Sequence, residues 1–301
     1  MRQTVAIVVT YHPDAAALSA IRSLAVQTQH VIVVDNSATA DAATRLTQAF
    51  ASETDTFTLL FNSENLGIAE ALNQGMKCAK AQSAEWVLTM DQDSRVTDGM
   101  VASLLATYDA LPEETRPRVA SLTPTLIQKA AESRPHTAAS DATVLTYREA
   151  ATAITSGNLV KRAAWQAIGG YDAKLFIDYV DHDFCFRLRQ AGYLILTCEG
   201  ARLLHAIGNS TLIRRFGRTI SVGQHSPLRF YYIARNGFYF WRTYRGSNAF
   251  LREDKINTLK LLLKALLFDT HRRERLRMFW RGYRDFHSGR FGRYTAPPPA
   301  N

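Results

Sequence analysis

The segment Trp86-Val87-Leu88-Thr89-Met90-Asp91-Gln92-Asp93-Ser94 is apolar until it ends in two carboxylates one residue apart. A short apolar run of this kind reads as a buried strand, and the C-terminal ends of strands are where open α/β sheets bind ligands. Two acids at that spacing can divide the work. One can accept hydrogen bonds from a sugar hydroxyl while the other holds a divalent metal against a diphosphate. The chemistry such a pattern serves is transfer from a nucleotide-activated sugar.

Three earlier apolar runs also end in polar residues: Thr10-Tyr11, Asp35-Asn36-Ser37, and Asn62 to Asn65. A lone Asp after a strand is usually a turn former or a cap. Four polar strand ends in succession instead point to one shared edge. A carboxylate at Asp35 can accept the imide N–H of a uracil or thymine ring, and backbone near Thr10 can contact the same base. Asn65-Leu66-Gly67 places a turn glycine ahead of a helix that carries Asn73, and Asn65 or Ser63 can equally be a simple helix cap.

A second cluster, Phe176-Ile177-Asp178-Tyr179-Val180-Asp181-His182-Asp183-Phe184-Cys185-Phe186-Arg187, holds three acids within six residues. Repulsion among close carboxylates makes one of them a better proton acceptor, whereas a helix N-terminus at Asp181 favours its ionised form. Both leave Asp181 able to take a proton from a sugar hydroxyl, with a plain N-cap as the competing role. Arg187 reads as a salt-bridge partner. His205, ahead of Gly208 and Asn209-Ser210, can offer a neutral imidazole to a metal held by Asp93; a hydrogen-bonded core histidine is the alternative.

These residues need a scaffold, and the first half of the chain alternates strand-like and helix-like segments. Strands are expected over Val5–Tyr11, Val31–Asp35, Phe57–Phe61 and Trp86–Met90, with helices over Asp14–Gln27, Gly67–Ala81 and Gly99–Leu111. That order predicts an α/β fold, a mostly parallel sheet with helices on both faces. Val119–Ile127 reads as a strand and Lys129–Thr143 as a loop. Arg162–Ile168 and Asp181–Gln190 read as helices, closed by Gly169-Gly170 and Gly192, with a strand over Tyr193–Thr197. From Ile213 onward the chain turns basic, aromatic and helical, and Pro297-Pro298-Pro299 reads as a frayed tail. The expected division is therefore residues 1–212 and 213–301.

The net charge of +9 is unevenly spread: residues 202–301 carry 20 Lys or Arg against 5 Asp or Glu, and residues 1–201 carry 16 against 22. An acidic half followed by a basic one is the layout this implies. Arg229 to Arg242 interleaves aromatics with cations, and Ile256 to Phe268 is apolar apart from Lys260 and Lys264. An in-plane helix on an anionic membrane has this character; Leu259, Leu262, Leu263 and Leu266 would alternatively pack on the rest of the chain or form a homodimer contact. Arg235 could also clamp a diphosphate. Met1-Arg2-Gln3-Thr4 leads straight into a strand-like run, so no secretory leader is expected, and no window reads as a membrane span. Cys78, Cys185 and Cys198 lack metal-type spacing and read as reduced cysteines of a cytoplasmic protein.

Two other functions fit poorly. Nucleotidyl transfer would need a glycine-rich loop after the first strand, where this chain has Thr10-Tyr11-His12-Pro13-Asp14. Nucleic-acid binding would be opposed by the acids at the strand ends.

In content and order, Val8-Val9-Thr10-Tyr11, Val33-Val34-Asp35-Asn36-Ser37, Asn65-Leu66-Gly67, Asp91-Gln92-Asp93-Ser94, Ser156-Gly157-Asn158 and Asp181 to Arg187 resemble family 2 glycosyltransferases across residues 5–245. The likeness is to bacterial rhamnosyltransferases of O-antigen or capsule-type polysaccharide assembly. It implies a GT-A fold, a nucleotide-sugar donor, Mg²⁺ or Mn²⁺, and inversion at the anomeric carbon. Carried over by position, Thr10, Tyr11 and Asp35 would contact the nucleobase end of the donor, Asn65, Gly67 and Asn73 would line the nucleotide site, and Asp91 would touch ribose or sugar. Asp93 and His205 would hold the metal, and Asp181 would be the base. Gly157, Asn158, Asp178 and Arg235 would lie on the acceptor side, with Asp178 substituting for a Glu that relatives carry at Val180. The resemblance favours dTDP-L-rhamnose as donor, leaves a UDP-sugar open, and implies a saccharide or polyprenyl-diphosphate-linked saccharide acceptor at the inner face of the cell membrane.

Overall fold

The computed structural model describes residues 2–128, 146–205, 210–215, 218–223, 226–246, 249–268 and 271–296. The expected loop at 129–143, most of that after His205 and the proline tail lie outside these residues. The chain divides into two compact units, one of residues 1–172 with 181–206, the other of 173–180 with 207–301. The division thus falls ahead of residue 212, and the segment 173–180 groups with the C-terminal part.

In the first unit, β1 (Thr4–Thr10), β2 (His30–Asp35), β3 (Phe57–Phe61) and β4 (Trp86–Asp91) alternate with α1 (Ala15–Leu24), α2 (Ala40–Phe50) and α3 (Gly67–Ala81). After them come β5 (Arg95–Val96), α4 (Met100–Asp109), β6 (Val119–Gln128), β7 (Tyr147–Glu149), β8 (Asn158–Lys161), α5 (Arg162–Ala167), α6 (Val180–Gln190) and β9 (Leu194–His205). The strands form one nine-stranded sheet in the order β3-β2-β1-β4-β8-β6-β9-β5, with β7 also on β9. The first four strands are parallel, and β6 pairs parallel with β9. Antiparallel β8, β5 and β7 make the sheet mixed, with six of its nine strands running one way.

Helices cover both faces, which is why β1, β2 and β4 are continuously apolar rather than alternating. On one face Ala6, Val8, Val31, Val33, Trp86 and Leu88 form the main core with Ile21 and Leu24 of α1, Leu46 and Phe50 of α2, and Leu104 of α4. Each fully buried Leu or Ile contributes about 1.5–3 kcal/mol. On the other face α3 lies so close to β1 that a Cβ at Gly75 would meet Ile7 Cγ2 at 2.5 Å. Helix α1 starts where Asp14 accepts the Ala17 N–H at 2.8 Å, and α2 starts at Thr39, whose hydroxyl accepts the Ala42 N–H. Sequence reading gave no helix over 40–50, although Ala42, Leu46 and Phe50 recur at four-residue spacing and are buried.

The second unit contains an antiparallel hairpin, β10 (Ser210–Arg215) and β11 (Arg218–Gly223), then α7 (Pro227–Thr243), α8 (Ala249–Phe268) and α9 (Arg272–His287). The expectation of helix from Ile213 onward is corrected by this hairpin; β-branched Thr211, Ile213, Thr219, Ile220 and Val222 favour strands. Helices α7 and α9 approach closely at Gly282, where a Cβ would collide with the Tyr231 carbonyl. Tyr231 donates to Asp285 at 2.9 Å, and Arg290 pairs with the same carboxylate at 2.8 Å.

Candidate active site

Parallel register places the C-terminal tips of neighbouring strands side by side: Thr10 of β1 faces Asp35 of β2, and Val9 faces Asp91 of β4. Side chains there bind one another. The Thr10 hydroxyl donates to Asp35 Oδ1 at 2.8 Å, the Ser37 hydroxyl to the same oxygen at 2.6 Å, and the Ser37 N–H to Oδ2 at 3.3 Å. Ser37 Oγ in turn accepts the His12 N–H at 2.7 Å, so Asp35 ties the loop after β1 to the loop after β2. With two hydroxyls on Oδ1 and one long contact on Oδ2, the buried carboxylate keeps acceptor capacity on Oδ2.

Tyr11, about half exposed, exchanges two backbone hydrogen bonds with the Gln92 amide, at 2.8 and 3.1 Å. That joins the tip of β1 to the Asp91–Asp93 turn. Next along the edge, Asn36 donates to the Gly67 carbonyl at 3.0 Å and accepts from Asn62 at 2.8 Å. Asn65 accepts the Gly67 N–H at 2.9 Å, and Gly67 has φ +82°, a left-handed geometry that suits glycine. The expected residues Thr10, Tyr11, Asp35, Asn65, Gly67 and Asp91 therefore share one sheet edge.

Asp93 and His205 are linked through Ser94. Strand β5 pairs with the end of β9, Arg95 facing Leu204, and this brings Ser94 Oγ to His205 Nδ1 at 2.8 Å. The Ser94 hydroxyl also faces Asp93 Oδ1 at 3.5 Å. When that hydroxyl points at the carboxylate, Nδ1–H donates to Ser94 and Nε2 carries the lone pair, the tautomer a metal ligand needs. A carboxylate and an imidazole also suit Mn²⁺ or Mg²⁺, which fill their remaining positions from phosphate and water. The residues thus fit a divalent ion as a partial site: among the described residues no three His, Cys, Asp or Glu side chains gather as a complete one.

Asp181 lies in the first turn of α6 and accepts its neighbour's His182 N–H at 2.8 Å. It is placed relative to the strand tips through Tyr171. That buried ring stacks on Phe184, its hydroxyl bonds Thr89 of β4, and Asp181 is close enough to act on it electrostatically. Burial, followed by the charge around it, pushes the Tyr171 phenol well up, so it remains a neutral hydroxyl. Asp183 is buried and pairs with Arg187 at 2.8 Å, and Arg187 also donates to the Ile168 and Gly170 carbonyls at 3.0 and 2.6 Å, the structural ion pair read from the sequence.

Five expected site residues lie in other surroundings than the sequence reading gave them. Asn73 is buried, donating to the Tyr171 carbonyl at 2.9 Å and accepting from Trp165 Nε1 at 3.1 Å and Tyr171 N–H at 2.9 Å. These hydrogen bonds hold the turn after α5. Asn158 is buried inside the sheet, accepting from Ser121 at 2.6 Å, so its side chain is no acceptor contact. Gly157 serves through backbone: φ is +77°, its N–H donates to Thr89 O at 2.9 Å, and a Cβ would meet Leu203 at 2.9 Å. Arg235 is fully buried in the second unit, donating to the Gly292 and Leu175 carbonyls at 2.6 and 3.0 Å, so it clamps no diphosphate. Asp178, also in the second unit, pairs with Arg229. Residues that sequence reading left without roles include Asn36, Ser37, Gln92, Ser94, Ser156 and Tyr171. Ser156 accepts the Asp91 N–H at 3.2 Å and so fixes the acid's strand end.

Comparison with known proteins places this geometry. The profile described as "Glycosyl transferase family 2" matches residues 5–163. The chain is 30% identical over 242 residues to the dTDP-rhamnosyl transferase RfbF of Shigella flexneri, covering 79% of each chain. It is 31% identical over 216 residues to the galactofuranosyltransferase GlfT1 of Mycobacterium tuberculosis, covering 68% of this chain and 70% of that one. Among solved structures it superposes on GalNAc-T7, crystallised with UDP, GalNAc and Mn²⁺, with a TM-score of 0.59 at 12% identity, covering 96% of this chain and 56% of that one. At that identity the likeness is one of fold, the GT-A architecture.

Proposed function

The chain belongs to glycosyl transferase family 2 and is a glycosyltransferase, and on that premise we propose that it moves L-rhamnose from dTDP-L-rhamnose, with inversion, onto a saccharide or polyprenyl-diphosphate-linked saccharide during cell-surface polysaccharide assembly. The observation that carries this reading is the alignment of Thr10, Asp35 and Asp91 at adjacent strand ends, beside Asp93 and His205 joined through Ser94. The donor choice is supported by the similarity to RfbF. A UDP-sugar is the second reading, favoured by the UDP bound in GalNAc-T7.

In this mechanism Asp35, Thr10 and the Tyr11 backbone receive the base, Asn65 and Gly67 shape the nucleotide's side of the cleft, and Asp91 orients ribose or sugar. Asp93 and His205 would hold Mg²⁺ or Mn²⁺, which when bound offsets charge on the leaving diphosphate. Asp181 takes the proton of the acceptor hydroxyl as its oxygen attacks the anomeric carbon. The bond from that carbon to the diphosphate oxygen breaks in the same displacement, and the nucleoside diphosphate departs. Asp181→Asn keeps shape and hydrogen bonding but cannot accept the proton. It is expected to bind dTDP-L-rhamnose with unchanged affinity and to lose turnover by about 10²–10⁴-fold; full turnover would remove Asp181 from the mechanism.

The second unit supplies the reading of a peripheral protein at the inner membrane face. Helix α8 turns Leu251, Thr258 and Ala265 inward and leaves Ile256, Leu259, Leu263, Leu266 and Leu267 exposed, Leu267 by 64%. Lys255, Lys260 and Lys264 flank that stripe, and Trp280 of α9 is 62% exposed. Two copies meeting there would oppose lysine to lysine, whereas anionic headgroups would match it. No helix of the described residues is long and apolar enough to cross a membrane. Flotation with anionic vesicles at low salt tests this: recovery with the floated lipid is expected, and a protein that stays wholly in solution contradicts it.

A further inference from the structure

Strands β6 and β9 pair in register from Ser121 and Ile195 to Pro124 and Cys198, and then Thr125 faces Arg202, so Glu199, Gly200 and Ala201 are extra residues on β9. An insertion of this kind bends its strand and re-aims the side chains at its two ends. The bend is held on several sides. Ala201 is buried in the main core, and a Cβ at Gly200 would lie 3.2 Å from Ser103 Oγ of α4. The Glu199 N–H donates to the Thr146 carbonyl at 3.0 Å, and the Thr97 hydroxyl donates to the Arg202 carbonyl at 2.7 Å. Thr125, Ile127, Arg148 of β7, Glu199 and Arg202, all in the first unit, line a cleft of about 510 Å³. Arg148, Glu199 and Arg202 are exposed, and among the described residues none of their three charged groups has a hydrogen-bond or ion-pair partner.

Two guanidinium groups on one cleft offer forked donors to a carboxylate or a phosphate, while a carboxylate that neutralises neither of them can accept from hydroxyls. Such a mixed set suits a sugar that carries an acid group. It suits a nucleic acid poorly, because Glu199 would face phosphates. The cleft's size is that of a small-ligand site, and its charged residues stand on strands rather than on a free loop. Arg202 precedes His205 by three residues on β9, about 10 Å of extended strand. A short oligosaccharide spans that distance with its far end at the metal site. Resting on the reading of the chain as a transferase to a saccharide, we propose that this cleft holds an acid-bearing sugar unit of the acceptor, Arg148 and Arg202 taking its carboxylate or phosphate and Glu199 with Thr125 its hydroxyls.

The test titrates the full chain at low ionic strength with D-glucuronic acid, glucose 6-phosphate, glucose and inorganic phosphate, following backbone amides by NMR. The three sugars share one hexose frame and differ at C6. The two sugar acids are expected to shift the amides of Arg148, Glu199 and Arg202 at concentrations where glucose and inorganic phosphate do not, and the tighter of the two identifies carboxylate or phosphate as the group recognised. Arg148→Gln and Arg202→Gln, both at exposed positions, should keep Tm and each weaken that binding about tenfold. Lys80→Gln removes the same charge from the exposed last turn of α3 and should change it by less than about twofold. Equal weakening in Lys80→Gln, or inorganic phosphate bound as tightly as the sugar acids, would reduce the cleft to a nonspecific cationic surface and overturn the proposal. Donor binding separates this site from the reading beneath it. A wild type stabilised by a nucleotide sugar with Mn²⁺ but unshifted by either sugar acid overturns the acceptor cleft alone, and one stabilised by no nucleotide sugar overturns the proposed transfer itself.

Discussion

Polar side chains in the two units do opposite work. At the strand tips Asp35, Asp93 and His205 are held by neighbours through one face or one atom, which leaves other atoms for a ligand. In α7, Arg235 and Asn236 are enclosed and engaged with the protein's own carbonyls. The same donor and acceptor chemistry thus leaves atoms open where a sheet ends, and builds architecture where a helix is covered. Position in the fold, rather than residue type, decides between the two.

Substitutions can sharpen or break that contrast. Arg235→Ala would remove the donor to the Gly292 carbonyl and leave a cavity in place of a fully buried side chain, and is expected to cost about 3–5 kcal/mol in denaturant unfolding, whereas Asp93→Asn should stay within about 0.5 kcal/mol of the parent. Equal effects would dissolve the distinction. Gly157→Ala forces a Cβ onto Leu203 in left-handed backbone and should destabilise by about 1–3 kcal/mol. Ser94→Ala should leave the fold within about 1 kcal/mol yet weaken Mn²⁺ binding about 10–100-fold, because the imidazole loses its orienting partner; titration calorimetry with MnCl₂ and dTDP reads this. The smallest effect concerns the cysteines. Burial pushes the thiols of Cys185 and Cys198 up to about 12 and about 11, so both stay protonated at neutral pH and enclosed, and mild alkylation of the native protein should modify the half-buried Cys78 first.

The sheet was legible because β1, β2 and β4 are buried on both faces and therefore uninterrupted in hydrophobicity, and their polar tips fall together at one edge. Helix α2 was not, since its three buried residues sit among Thr, Asp and Gln. The hairpin β10–β11 was concealed by the basic composition of everything after residue 202. Among site residues, Asp93 and His205 could be paired from chemistry, but the Ser94 bridge depends on β5 meeting β9, a contact across more than a hundred residues. The partners of Asn73, Asn158 and Arg235 include backbone groups, an indole N–H and a hydroxyl brought in by distant chain, and burial of that kind leaves no local mark.

The central claim is that the carboxylates at this sheet edge bind a nucleotide sugar through a cation. Thermal unfolding of the wild type and of Asp93→Asn, with dTDP-L-rhamnose and UDP-sugars, with and without MnCl₂, tests it most directly. The wild type should be stabilised by dTDP-L-rhamnose with Mn²⁺, by about 2.7 kcal/mol at a hundredfold excess over Kd, and Asp93→Asn should lose the Mn²⁺-dependent part. A wild type that melts at the same temperature with every nucleotide sugar, metal present or not, would contradict the account.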